Sequence, residues 1–267
     1  MPLIHPTAVI DPRAELAAGV QVGPYAVIGP DVQIGPDCSI GAHVVLEGRV
    51  RMGRGNRLFP GACIGLEPQD LKYTGDPTGV EIGDDNTIRE YVTVNRATHG
   101  EQITRIGHGN LLMAYSHLGH NCELGDRIVI ANGVAVAGHV VIADRAVIGG
   151  VLGIHQFVQI GTLAMVGGMS RIERDVPPFC IVEGHPSRVR ALNRIGMQRS
   201  GFAELDGGLQ LVDLKRTWTA IYRQRQPLAQ VLAQLRTAPL TGAAETLVAF
   251  LEASSAPSRR GPIPGAQ

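Results

Sequence analysis

The sequence predicts a parallel β-helix closed by a small C-terminal helical unit, and three observations predict it. The first is a six-residue rhythm. Stepping by six from Ile4 to Ile172, every sampled position is aliphatic or Met except Asp70, Asp76 and Gly100, three failures in 29. The second is what surrounds those positions. The residue two places earlier is usually small or β-branched, as at Ala8, Val20, Ala26, Val32 and Cys38, and a glycine follows directly in 13 of the 26 cases. The third is composition: 267 residues hold 34 glycines but only one Trp, five Tyr and five Phe.

Each observation has a geometric cause. Six is even, so positions i and i−2 share one face of a strand, and a glycine at i+1 suits a corner where a side chain would crowd the turn. Three hexads then make a triangular coil of about 18 residues, and stacked coils pair their strands in parallel with the aliphatic positions as internal columns. Such an interior is narrow, which accounts for the missing aromatic area. The hexads give about nine coils. The repeat leaves the handedness open.

The solenoid is expected over residues 1–190, with excursions at 66–81 and 97–104 where the rhythm fails. Excursions from a rigid repeat are where function tends to sit. The prolines of 175–179, DVPPF, forbid a continuing central strand. Residues 191–254 carry a helical pattern, with Leu211, Leu214, Trp218, Ile221 and Tyr222, then Leu228, Val231, Leu232 and Leu235, then Leu247, Val248 and Leu251. Residues 255–267 are poor in apolar side chains, and a disordered tail is expected there.

Composition narrows the function. Lys plus Arg equals Asp plus Glu at 24 each, so no global field draws the chain to nucleic acid or to an acidic membrane. No transmembrane segment or signal sequence is recognisable, and the expected compartment is the cytoplasm. Four cysteines without CxxC spacing suit a reducing compartment and neither a zinc ribbon nor a disulfide scaffold. There is no Gly-x-Ser-x-Gly, no Walker loop and no GxGxxG between a strand and a helix.

The histidines remain. His117 and His120 fall on one coil in YSHLGHNC, with His139 and His155 farther along. Stacking by 18 sets Gly138 over His120, so His139 is close as well. Leu118 belongs to the internal column; His117 therefore points outward, and His120 stands at a corner. Three uses are open: a general base beside an oxyanion-stabilising amide such as that of Gly138, a zinc site of the kind hexapeptide-repeat carbonic anhydrases build, or a non-catalytic scaffold.

From IHPTAVI (4–10) through EPQDLKY (67–73), HLGHNC (117–122), AGHV (137–140), HQF (155–157) and MVGG (165–168) to the helical C-terminus, the chain resembles the UDP-N-acetylglucosamine O-acyltransferases that begin lipid A synthesis. Related N-acyltransferases share the solenoid but carry an extra N-terminal domain, whereas the repeats here begin at Ile4. The resemblance implies a left-handed helix, a homotrimer, and transfer of a 3-hydroxyacyl chain from acyl carrier protein to the glucosamine 3-hydroxyl of UDP-N-acetylglucosamine, without metal or other cofactor.

By the same resemblance, His120 is the general base and the Gly138 amide faces the oxyanion. Gln69, Asp70 and Lys72 bind the sugar, and His117, His139, His155 and Gln156 line a cleft between subunits. Asn193 and Arg199 reach the diphosphate, and Gly168 limits the acyl length near 12 to 14 carbons. Many members have Asp after the base, where Asn121 stands here, and some have His where Asn95 stands or Glu where Ile195 stands. The segment 186–225 carries eight cations (Arg188, Arg190, Arg194, Arg199, Lys215, Arg216, Arg223, Arg225) against three anions, a local basic patch for an acidic carrier protein.

Overall fold

A computed structural model describes residues 1–224, 226–240 and 242–266. Three sheets form the faces of a triangular, left-handed prism. The first face runs from Leu3–Ile4 to Met165–Val166 and continues into Cys180–Gly184 and Ser187–Leu192. The second has nine strands, from Val9–Ile10 to Arg171–Ile172, and the third has eight, from Glu15–Leu16 to Gln159–Ile160. Neighbouring solenoid strands pair in parallel, Val9 with Val27 and Val27 with Val45, so the 18-residue step of the sequence is the step of the structure. The hexad column lies inside: Ile28, Ile40, Leu46, Ile64, Ile88, Leu112, Leu118, Ile130 and Ile148 are all within 2% of full burial.

The excursions lengthen two coils without breaking the stack. Cys63 pairs with Thr93, 30 residues on, and Thr93 with His117, 24 on, so the loops add whole hexads and keep the register. Both leave the edge between the second and third faces. As loops they are shorter than expected, because strand pairing resumes at Gly79 and at Ile103.

Across the prism, at the edge entering the first face, the inward small-residue position of the same coils is Asn. Asn56, Asn86 and Asn110 are buried and form a ladder. Asn86 donates through N and Nδ2 to Asn56 Oδ1, Asn110 donates likewise to Asn86 Oδ1, all at 2.9 Å, and Asn110 Oδ1 accepts from Ile128 N at 2.7 Å. The ladder satisfies buried amides that would otherwise cost about 1–3 kcal/mol each.

The C-terminal region departs from expectation in three ways. The prolines at 177 and 178 do not end the solenoid, since Cys180–Gly184 pairs in parallel with Met165–Val166 before Ser187–Leu192 turns back antiparallel. The strand therefore runs past residue 190, and helices begin with α1 (Arg194–Arg199), followed by α2 (Leu209–Arg223), α3 (Leu228–Leu235) and α4 (Gly242–Ser254). Leu214, Trp218, Ile221, Val231, Leu232, Leu247, Val248 and Leu251 are buried, as their spacing predicts.

The tail is ordered as far as residue 266; Gln267 lies outside the described residues. Arg259 grips the buried Asp175 with two bonds of 2.8 and 2.9 Å, Ser254 Oγ donates to the same carboxylate, and Ile263 is buried beside main-chain bonds to Asp175 and Val189. Composition counted too few apolar side chains. It could not count a charge-assisted anchor and a free strand edge within reach.

Candidate functional site

His120 stands where the coil turns from His117–Leu118 toward Glu123–Leu124, on the edge both excursions leave. The next residue, Asn121, takes the left-handed backbone (φ 59°) that Asn tolerates better than most side chains, and His139 repeats it one coil later (φ 59°). Main-chain stacking is direct, His139 N donating to His120 O at 2.9 Å. Gly138 is required here, since a Cβ on it would lie 2.5 Å from His120 Nε2 and Cε1. No backbone bond among the described residues uses the Gly138 N–H.

A corner position suggests exposure, yet His120 is only 7% exposed. The first excursion covers it: Asp70 Oδ2 lies 3.6 Å from His120 Nε2, and the His139 ring meets the His120 ring edge-on at 5.1 Å. His139 in turn stacks on Phe157 at 4.7 Å. The Lys72 N–H, donating to Asp70 Oδ1 at 3.0 Å, holds the Asp70 carboxyl below its usual range, with His120, Lys72 and His99 adding to the effect. Burial, reinforced by His120, pushes the imidazoles of His117 and His139 below theirs, so both favour the neutral form. His117 Nδ1 shares a 2.7 Å bond with Thr93 Oγ1.

The opposite ring nitrogen is oriented by a neighbour. His120 Nδ1 lies 2.9 Å from Asn121 Oδ1, an acceptor that draws a proton to Nδ1, and Nε2 is the ring nitrogen that faces Asp70 and Gly138. Cys122, two residues on, is no rival nucleophile. Its thiol donates to Ala137 O, and burial pushes it up to about 12.

Arg96 anchors the first excursion, binding Gly65 O and Tyr73 Oη at 2.9 Å each, while Asn95 Nδ2 donates to Glu67 O at 2.8 Å. The second excursion locks to the first through Gly100 N and Asp76 Oδ2 at 2.7 Å. Arg96, Tyr73, Gln102 and Thr98 escaped sequence reasoning; the only signal was the polar character of the two loops.

The expected residues divide. Asp70, His120, Gly138, His139 and His117 come together. Gln69 and Lys72 flank Asp70 with exposed side chains, and His155 and Gln156 sit one coil beyond His139. His117 and His155 also border an open, mostly apolar groove on the second face, floored by Ala135 and Gly153 and closed by Arg171. Gly168 stands at the other corner of that face, above Gly150. Asn193, expected at the diphosphate, is held in the fold. It is buried, donates to Leu163 O at 2.8 Å and caps α1 by accepting from Gly196 N at 3.0 Å. Arg199 is exposed in the last turn of α1. Arg225 of the basic patch lies outside the described residues.

The model of the bacterial transferase hexapeptide family matches residues 13–48 and 103–138, and that of UDP-N-acetylglucosamine O-acyltransferase, domain 2, matches 175–263. An acyl-[acyl-carrier-protein]–UDP-N-acetylglucosamine O-acyltransferase of Synechocystis sp. is 57% identical over 99% of this chain and 95% of its own. The chain belongs to the UDP-N-acetylglucosamine O-acyltransferase family. Solved acyltransferases of this family extend the match to the fold: that of Francisella novicida superposes with a TM-score of 0.91 at 32% identity, covering 99% of this chain and 95% of the other, and that of Campylobacter jejuni with 0.89 at 34%, covering 99% and 100%. The family members therefore share the solenoid and the helical C-terminus together. No helix among the described residues is long and apolar enough to cross a membrane.

Proposed function

We propose that this acyltransferase transfers a 3-hydroxyacyl chain from acyl carrier protein to the 3-hydroxyl of UDP-N-acetylglucosamine, the first step of lipid A synthesis, in the cytoplasm and as a homotrimer. The observation that carries the reading is the Nε2 of His120, facing Asp70 and packed against the α-carbon of Gly138, with Nδ1 bonded to Asn121 Oδ1. A sugar hydroxyl is a poor nucleophile until its proton is removed. His120 Nε2 takes that proton as the oxygen attacks the thioester carbonyl, and the Gly138 N–H stabilises the oxyanion. Collapse expels the carrier thiolate, which recovers the proton from His120. The step balances without a metal or cofactor.

Asp70, with Gln69 and Lys72, binds the sugar where it approaches Nε2, and Arg199 meets the diphosphate. The apolar groove beside His117 and His155 suits the acyl chain and is completed by the neighbouring subunit, with Gly168 at its far corner as the length limit. The exposed Met169 turns away at the same corner, 80% exposed and in the left-handed region. The basic segment around α1 and α2 draws the acidic carrier protein, so apparent donor affinity weakens as salt rises.

Mass spectrometry of the product formed from UDP-N-acetylglucosamine and a mixture of acylated carrier proteins tests the reading. A sugar nucleotide O-acylated with a 3-hydroxy chain near 12 to 14 carbons is expected, and Gly168→Met shifts it toward about 10 carbons. An N-acylated product, or turnover that follows stoichiometric zinc, would overturn it.

A further inference from the structure

Asn121 stands where a carboxylate would orient the base by charge, and an amide works only if its carbonyl end faces the imidazole. The surroundings decide which end that is. The main-chain N–H of Thr98 donates to Asn121 Oδ1 at 3.1 Å, and a backbone N–H can only donate, so the atom it meets must be the oxygen. The NH2 end then points the other way, where Gln102 Oε1 accepts from Asn121 Nδ2 at 2.7 Å. Thr104 Oγ1 accepts from the Asn121 main-chain N–H at 2.9 Å and fixes the corner itself. All three partners belong to the second excursion or to the strand that closes it.

We propose that Gln102 is a positioning residue for acyl transfer: by holding the Asn121 amide through its NH2 end, it keeps His120 in the tautomer that offers Nε2 as the base. The proposal rests on the reading of His120 as that base. A reversed amide would present NH2 to Nδ1, move the ring proton to Nε2 and leave no lone pair toward the substrate. The other charged or titratable groups around His120 are Asp70 and Lys72 on the first excursion, His99 on the second, and His117 and His139 on the solenoid. None of them is bonded to Nδ1. Gln102 is exposed, so changing it leaves the core untouched.

Steady-state kinetics against pH on the full-length enzyme test this with four variants. Gln102→Leu removes the acceptor, and kcat is expected to fall about fivefold with KM for UDP-N-acetylglucosamine changed less than twofold. Gln102→Glu keeps the acceptor and should hold kcat within threefold. Asn121→Asp sets a carboxylate beside Nδ1 and should raise the acid limb of kcat/KM by about one pH unit. In the double variant Asn121→Asp/Gln102→Glu two carboxylates face each other. Its kcat at pH 8 should fall at least tenfold below the product of the single effects and recover as the pair takes up a proton on acidification.

Wild-type kcat in Gln102→Leu, a rise in KM alone, or a double variant that is the product of its singles overturns the clamp. His120→Ala, assayed alongside, separates the two ideas. If it keeps wild-type turnover, the base reading fails and the clamp with it; if it is inactive and the coupling is absent, the clamp alone fails.

Discussion

The plain coils at the N-terminus and the interrupted coils after them share one repeat and differ in everything it leaves free. A single outward column on the second face runs, by strand pairing, through Val9, Val27, Val45, Cys63, Thr93, His117, Ala135, Gly153 and Arg171. Up to Val45 it is a stripe of valines. After the excursions it becomes an imidazole, a floor without side-chain bulk and a cation. The corners diverge in the same way: in the plain coils His43 stacks on Tyr25 at 5.1 Å in the open, whereas His120 lies under Asp70 and against His139. Inward positions are held by packing or, in the asparagine ladder, by buried hydrogen bonds, so they are committed to the fold. Chemistry collects at outward positions where a loop can cover them and exclude water.

The contrast can be broken first at Gly138. Gly138→Ala should fold, because the atoms it displaces belong to the His120 ring and not to the backbone, yet turnover should fall at least a hundredfold as the ring leaves its place. Thermal melting and kcat on one preparation check both halves; normal turnover would mean that the ring's position is immaterial.

Next in size is the asparagine ladder. Asn86→Ala leaves Asn56 Oδ1 with the main-chain N–H of residue 86 but strands Gly107 O and the Asn110 N and Nδ2 donors, and should cost about 2–3 kcal/mol of stability with little change in turnover per folded molecule. Denaturant titration measures it, and an unchanged midpoint would show that water replaces the ladder without loss.

A smaller effect follows from pH. Burial lowers the His117 imidazole below its ordinary 6.5, so between the two values the unfolded chain binds more protons than the folded one. Stability therefore rises with pH through that window and falls on acidification below about 6.5. His117→Gln should flatten that slope in melting curves from pH 5 to 7.5; a steeper slope would reverse the assigned sign. Smallest of all, His43→Ala in the plain coils should leave turnover unchanged and cost under about 1 kcal/mol, the worth of an exposed aromatic stack. A loss of activity there would erase the distinction between the two regions.

The same division explains what could be seen in the sequence. The hexads carried the three faces, the stacking of Gly138 on His120 and the outward direction of His117, because a period of six maps directly onto a prism. Asp70 and its neighbours were visible as a break in the rhythm, and a sugar-binding role for them was implied by the resemblance alone. Periodicity could not show that the loop at 97–104 folds back to place Gln102 and Thr98 on Asn121, since a contact between a loop and a corner leaves no period. The N-cap role of Asn193 was hidden for a related reason: a polar residue before a helix fits several roles, and the Leu163 carbonyl that holds its amide lies 30 residues away. The tail was misread because composition does not record that Asp175 waits for Arg259.

The most direct test of the account is turnover and thermal stability of His120→Ala measured together on the same purified protein. The solenoid does not use this side chain as part of its inner column, while the proposed reaction depends on its Nε2. The melting temperature should stay within a few degrees of wild type and kcat should fall by at least two orders of magnitude. A folded variant with wild-type turnover, or a variant that no longer folds, would contradict the claim that the repeat builds the prism and this covered corner does the chemistry.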